Sequence, residues 1–112
     1  MDPKLLSGTV DMLILQVVLP ESTYGYHITQ EVLKRSQGYF QLKEGSLYPA
    51  LHRLEREKFL KSYWEQAESG RRRKYYSITA SGKKTLEKKR TEWSEFSVGV
   101  NGILGVPAHG VA

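Results

Sequence analysis

A chain of 112 residues holds one small domain with a modest core, and 39% hydrophobic with 26% charged residues is ordinary for a globular protein. Seventeen Lys and Arg against 12 Asp and Glu leave a formal charge of +5, which favours a polyanionic partner if the charge is clustered. No cysteine is present, which excludes disulfides, thiolate metal sites and cysteine nucleophiles.

From about Gly8 to Leu19, Val10, Leu13, Ile14, Val17 and Val18 recur at helical spacing, and Met12, Leu15 and Leu19 widen the stripe until it nearly encircles the axis. Such a helix is expected to be covered on several sides, between the domain core and a second chain, with Leu13 and Val17 at the dimer contact. The apolar run Met12 to Leu19 is too short to span a bilayer and is interrupted by Gln16. The first residues lack the basic region and small-residue cleavage site of a secretory signal, so no membrane association and a cytoplasmic location are expected.

Pro20-Glu21-Ser22-Thr23 breaks this helix, and Ser22 or Thr23 can cap the next, which runs from about Tyr24 to Ser36 with Ile28, Val32 and Leu33 turned inward. Gly38 supplies its stop. Tyr39-Phe40-Gln41-Leu42 alternates like a very short strand. Then comes Gly45 to Glu55, an amphipathic helix with Leu47, Ala50, Leu51 and Leu54 on one side. Its other side offers a hydroxyl, an aromatic ring and cations and has no apolar partner to fill, which suits the edge of a nucleic-acid duplex. With Ser46 as N-cap, Pro49 takes the third helical position, where its missing N–H costs nothing. An alternative is a capped helix start of no special function.

Phe59 to Glu65 reads as a strand rich in aromatic and β-favouring residues and Arg73 to Ile78 as its partner, joined by the polar stretch Gln66 to Arg72. This hairpin is a wing, and Arg71, Arg72, Arg73 and Lys74 at its tip can reach a phosphate backbone or a minor groove. A solubilising edge that deters strand pairing is the competing account of those cations. Thr79 caps a long last helix from about Ala80 to Val100 or slightly beyond. Leu86, Trp93 and Val100 fall at intervals of seven, with Phe96 between them, a seam suited to a partner helix. Residues 1–78 therefore read as a winged helix-turn-helix, 79–104 as a dimerisation helix and 105–112 as a frayed tail. The fold class is mainly α with a small β-hairpin wing.

The runs Gly45-Ser46-Leu47-Tyr48-Pro49-Ala50-Leu51-His52-Arg53-Leu54-Glu55, Ser62-Tyr63-Trp64, Gly70-Arg71-Arg72-Arg73-Lys74-Tyr75-Tyr76 and Thr79 to Gly82, with Tyr24-Gly25-Tyr26-His27-Ile28 before them, closely resemble the PadR-like transcriptional regulators. The likeness extends over roughly Thr9 to Lys89. It implies a homodimeric repressor that binds an inverted repeat of double-stranded DNA and is released by a small aromatic or hydrophobic effector. Carried over by position, recognition-helix contacts fall on Ser46, Tyr48, Pro49, His52 and Arg53, wing contacts on Arg71, Arg72, Arg73 and Lys74, and a phosphate contact on Lys43. Trp93 stands where some short family members stack flat ligands between protomers, and plain dimer core is its alternative role.

An enzyme is not expected, because His27, His52 and His109 are scattered and no carboxylate–histidine spacing suggests a metal site or a cofactor. The remaining competitors are a protein-interaction module and a non-specific nucleic-acid-binding module without an effector. The basic wing argues against the first. An RNA role is disfavoured because the chain has no repeated aromatic platform for stacking single-stranded bases.

Overall fold

Helix α1, Val10–Val18, buries Val10, Ile14, Leu15, Val17 and Val18, and the other elements are arranged around it. The computed structural model describes residues 9–107 and continues with β1 (Thr23–Tyr24), α2 (Gly25–Arg35), α3 (Glu44–Arg56), β2 (Leu60–Gln66), β3 (Arg72–Ile78) and α4 (Ala80–Leu104). The strands form one antiparallel sheet in the order β1-β3-β2, with Leu60 opposite Ile78 and Gln66 opposite Arg72. This is a winged helix: three helices, a hairpin wing braced by a two-residue third strand, and a long last helix. One core joins Ile14 and Leu15 of α1, Ile28 and Val32 of α2, Leu47, Leu51 and Leu54 of α3, Leu60 and Tyr76 of the sheet, and Leu86 of α4. Gly8 and His109 lie outside the described residues.

Four local expectations are corrected. Tyr39–Leu42 is an irregular connection, not a strand: Leu42 is buried, and the Tyr39 and Phe40 rings meet edge to face at 5.0 Å. The third strand position is taken instead by Thr23–Tyr24, paired with Tyr76 and Tyr75, so neither Ser22 nor Thr23 caps α2. The left-handed turn that ends α2 begins at Gln37 (φ 54°) and continues at Gly38 (φ 82°). Gly38 N–H donates to Leu33 C=O at 2.8 Å and Gln37 N–H to Lys34 C=O at 3.1 Å, a Schellman closure.

Helix α3 starts three residues earlier than Ser46 predicts, with Lys43 as N-cap, because Glu44, Gly45 and Ser46 complete a first turn in which an acidic side chain meets the positive helix end. Pro49 is therefore the sixth helical residue. The carbonyl it leaves without an intrahelical donor belongs to exposed Gly45, where solvent can satisfy it.

The end of α3 determines where α4 begins. Lys58 adopts φ 65°, and Phe59 N–H donates to Leu54 C=O at 2.9 Å. This second Schellman turn presents the carbonyls of Lys58 and Phe59 to the next helix. Thr79 Oγ1 donates to Lys58 O at 2.7 Å and accepts from Gly82 N–H at 3.0 Å, while Ser81 Oγ donates to Lys58 O at 3.0 Å. Gly82 is buried against this turn. A Cβ there would lie 2.2 Å from Phe59 O and 2.8 Å from Ile78 Cγ1, so no side chain fits without separating the helix from the sheet. The 25 residues of α4 extend about 37 Å. Beyond Leu86 its apolar residues are exposed, and the domain measures 53 × 28 × 23 Å.

The wing is tied to α3 by Glu55. Its carboxylate accepts from the Ser62 hydroxyl on β2 and lies 3.4 Å from Lys74 Nζ on β3. The Ser62 hydrogen bond, with the Lys74 charge behind it, holds the Glu55 carboxyl below the usual glutamate range.

Two outcomes are expected. Gly82→Ala destabilises the fold by about 3 kcal/mol, read as a lower urea midpoint at unchanged slope; a variant as stable as the parent would show that the Phe59 contact relaxes freely. Because the folded pKa of Glu55 lies below its unfolded value, its contribution is complete above the unfolded pKa and is lost as pH falls through the folded one. Glu55→Gln should therefore cost about 1 kcal/mol at pH 7, and the gap from the parent should close in urea titrations taken below about pH 4.

Candidate nucleic-acid interface

Lys74, the wing partner of Glu55, also lines a groove between α3 and the sheet. Tyr48 and His52, one turn apart on α3, form one wall, and Trp64, Arg71, Arg72, Arg73, Lys74 and Tyr76 form the other. Tyr24, Gly25 and Tyr26, where β1 runs into α2, also line it, and the open groove has a volume of about 740 Å³. Gly25 permits the close approach of Tyr48. A Cβ on it would stand 3.2 Å from Tyr48 Oη, so the missing side chain lets Tyr48 lie over the start of α2.

Three of the four wing cations are held rather than loose. Strand alternation puts Trp64 directly opposite Lys74, and the Arg72 guanidinium lies 5.3 Å from the Trp64 ring centre. Arg73 stacks over Tyr24 at 4.4 Å, and Lys74 Nζ lies 5.6 Å from the Tyr76 ring while pairing with Glu55. A planar guanidinium on an aromatic face keeps its charge while losing conformational freedom in advance, which lowers the entropy cost of meeting a phosphate or base edge. Burial, reinforced by the negative charge of Glu55, pushes the Tyr76 hydroxyl pKa up, so it stays a neutral donor at neutral pH. The result is a groove with a cationic rim and an aromatic floor.

Of the residues singled out from sequence, Tyr48, His52, Arg71, Arg72, Arg73 and Lys74 come together here. Lys43, Ser46 and Pro49 are exposed at the start of α3, outside the groove lining. Arg53 points elsewhere: its Nη2 donates to the Asp11 carboxylate on α1. The other set divides. Val17 and Leu86 are buried within the chain itself and Leu13 is partly buried, whereas Trp93, Phe96 and Val100 lie on the exposed part of α4. The Trp93 and Phe96 rings stack at 5.9 Å. The aromatic lining from Tyr24, Tyr26, Trp64 and Tyr76 was not foreseen as part of the interface. The only signal for it was the Tyr-Gly-Tyr and Ser-Tyr-Trp runs within the family resemblance. Among the described residues no His, Asp and Glu cluster is arranged to hold a metal, and no helix is long and apolar enough to cross a membrane.

Comparison with known proteins agrees with this geometry. The transcriptional regulator PadR-like family matches residues 14–88. A transcriptional regulator of Mycobacterium tuberculosis is 31% identical over 102 residues, 91% of this chain and 89% of that protein. A transcriptional regulator from Clostridium thermocellum superposes with a TM-score of 0.82 at 33% identity, covering 88% of this chain and 96% of that one. A PadR family transcription regulator from Clostridium difficile does so at 0.75 and 40% identity, covering 86% and 98%. With the family pattern matched over the greater part of its length and the same fold found in its relatives, the chain belongs to the PadR-like family of transcriptional regulators, proteins that regulate transcription rather than catalyse a reaction.

Proposed function

We propose that the protein is a dimeric, sequence-specific DNA-binding repressor that acts in the cytoplasm. The observation that carries this reading is the groove between α3 and the wing, with Tyr48 and His52 on one wall and Arg71, Arg72, Arg73 and Lys74 on the other. In the proposed complex α3 enters a major groove while the wing reaches along the flanking backbone. Tyr48 and His52, with Ser46 and Pro49 at the exposed start of the helix, discriminate bases. Lys43 and the four wing cations meet phosphates and supply most of the affinity and its salt dependence.

Dimerisation is supported by the exposed apolar face of α4, where Trp93, Phe96, Val100, Ile103 and Leu104 have no covering element among the described residues. Two such helices packed together set the recognition helices roughly 34 Å apart, one turn of duplex. The stacked Trp93 and Phe96 rings are also the best support for an effector: a flat aromatic or hydrophobic molecule held between protomers would change that spacing if it binds one arrangement better than the other.

Selection from a random duplex library at near-physiological salt tests the main proposal. An enriched inverted repeat with half-sites one turn apart is the expected result, and retention of DNA with no enriched sequence would replace it with charge-driven, non-specific binding. The walls of the groove should respond differently. His52→Ala is expected to flatten the preference at one position of each half-site, a loss of roughly 1–3 kcal/mol of discrimination. Arg72→Ala should weaken selected and random duplexes by the same factor and reduce the salt slope by about 1. Titrations of both variants on both duplexes check the division, and equal losses for both would sink it.

A further inference from the structure

The position of Arg53 on the recognition helix makes it an obvious base reader, but its contacts give it another task. Arg53 follows His52 on α3, so its side chain leaves the helix about 100° further round. The groove lining includes Tyr48 and His52 and stops short of it. Its guanidinium Nη2 donates to Asp11 Oδ1 instead, across 42 positions of sequence. The two side chains retain 40% and 21% of their exposure, so the pair is neither fully solvated nor entombed.

Both charges sit where the helices favour them. Asp11 is in the first turn of α1, at the positive end of that helix, and Arg53 is in the last turn of α3, at its negative end. The pair thereby joins opposite ends of two packed helices. Helix α1 also packs against α2 and α4. A lever between α1 and the recognition helix therefore fixes α3 relative to the helix from which the proposed dimer is built.

We infer that Arg53 is a positioning residue for DNA reading: it anchors α3 to α1 through Asp11 and takes no base. This rests on the DNA-binding reading above and assigns one of its residues a different part. Apolar packing along Leu47, Leu51 and Leu54 keeps α3 in the core, and the Asp11 pair adds a directional, charge-assisted hydrogen bond at the end of the helix that fixes its orientation more finely. Loss of the anchor leaves the base-reading side chains intact and the helix free to sample other angles. Affinity for the operator falls while base preference is kept.

A double-mutant cycle on the full chain tests this, with Asp11→Asn, Arg53→Met and both together. Each protein is taken through duplex selection and titrated on the wild-type sequence well below its melting temperature. Each single variant is expected to weaken operator binding by about tenfold, the double no more than either single, with all four proteins enriching the same sequence. Three results would overturn the inference. Arg53→Met could enrich a different sequence while Asp11→Asn binds as tightly as the parent or more so, which would make Arg53 a base reader restrained by Asp11. The two losses could multiply in the double variant. Operator affinity could stay unchanged in all variants while their melting temperatures fall together, which would reduce the pair to a stability contact. If the wild type itself enriches no sequence, the DNA-reading proposal falls and the inference with it, a failure recognisable before any variant is measured.

Discussion

The interaction on which most of this molecule depends is the seat of α4 on the end of α3. Lys58 turns left-handed, the carbonyls of Lys58 and Phe59 come forward, and Thr79, Ser81 and the bare backbone of Gly82 close over them. These contacts are short and directional, and a glycine is required at their centre. They set the direction in which α4 leaves the domain. Because the apolar residues of α4 beyond Leu86 are exposed, no contact among the described residues further along the helix corrects an error made here. An angular displacement of one degree at the seat becomes a displacement of about 0.6 Å at the end of a helix of that length. Geometry at a distance is therefore controlled by atoms packed within the first turn.

The second constraint is electrostatic. A wing with four consecutive cations repels itself and the rest of a positively charged chain, and the fold answers by giving three of them neighbours: Trp64 for Arg72, Tyr24 for Arg73, and Glu55 with Tyr76 for Lys74. None of these neighbours removes the charge. Surface ion pairs and cation–π contacts of this exposure contribute little to stability, so their main consequence is orientation. Glu55 is central because it links α3 to both strands of the hairpin and perturbs the ionisation of Tyr76. In the proposed complex, α3 and a wing tied to it by one carboxylate meet the duplex as one surface rather than as two that must find each other there.

Much of the fold was legible in the sequence because its signals are redundant. Leu47, Ala50, Leu51 and Leu54 mark a buried helix face on period alone, and each is buried. The two wing strands are flanked by polar residues and rich in β-formers, and they pair along their whole length. The misread details share one cause: a local pattern with more than one tertiary solution. Ser46 before Pro49 is a good cap, but Glu44 and Gly45 also make a turn, and an exposed carbonyl tolerates the proline. Phe40 and Leu42 alternate like a strand, yet the sheet edge they would have paired with was already occupied by Thr23–Tyr24. Gln37 and Lys58 adopt left-handed backbones that only their helix-ending hydrogen bonds account for, and no residue preference announces them.

The candidate site was legible in its chemistry and less so in its partners. Tyr48, His52 and the wing cations were visible because polar residues on an otherwise amphipathic helix and a charge run at a hairpin tip are one-dimensional signals. Trp64 and Tyr24 became part of the site only through cross-strand register, a relation between residues far apart in sequence. Arg53 is the clearest case. In one dimension it is a cation on the exposed flank of a recognition helix, indistinguishable from a base reader. In three dimensions it is paired with Asp11, and only a contact spanning 42 positions separates the two. Charge on a recognition helix can thus serve the helix before it serves the nucleic acid. A carboxylate within reach on a neighbouring helix biases which, because it fixes the direction in which the guanidinium and its remaining N–H donors point.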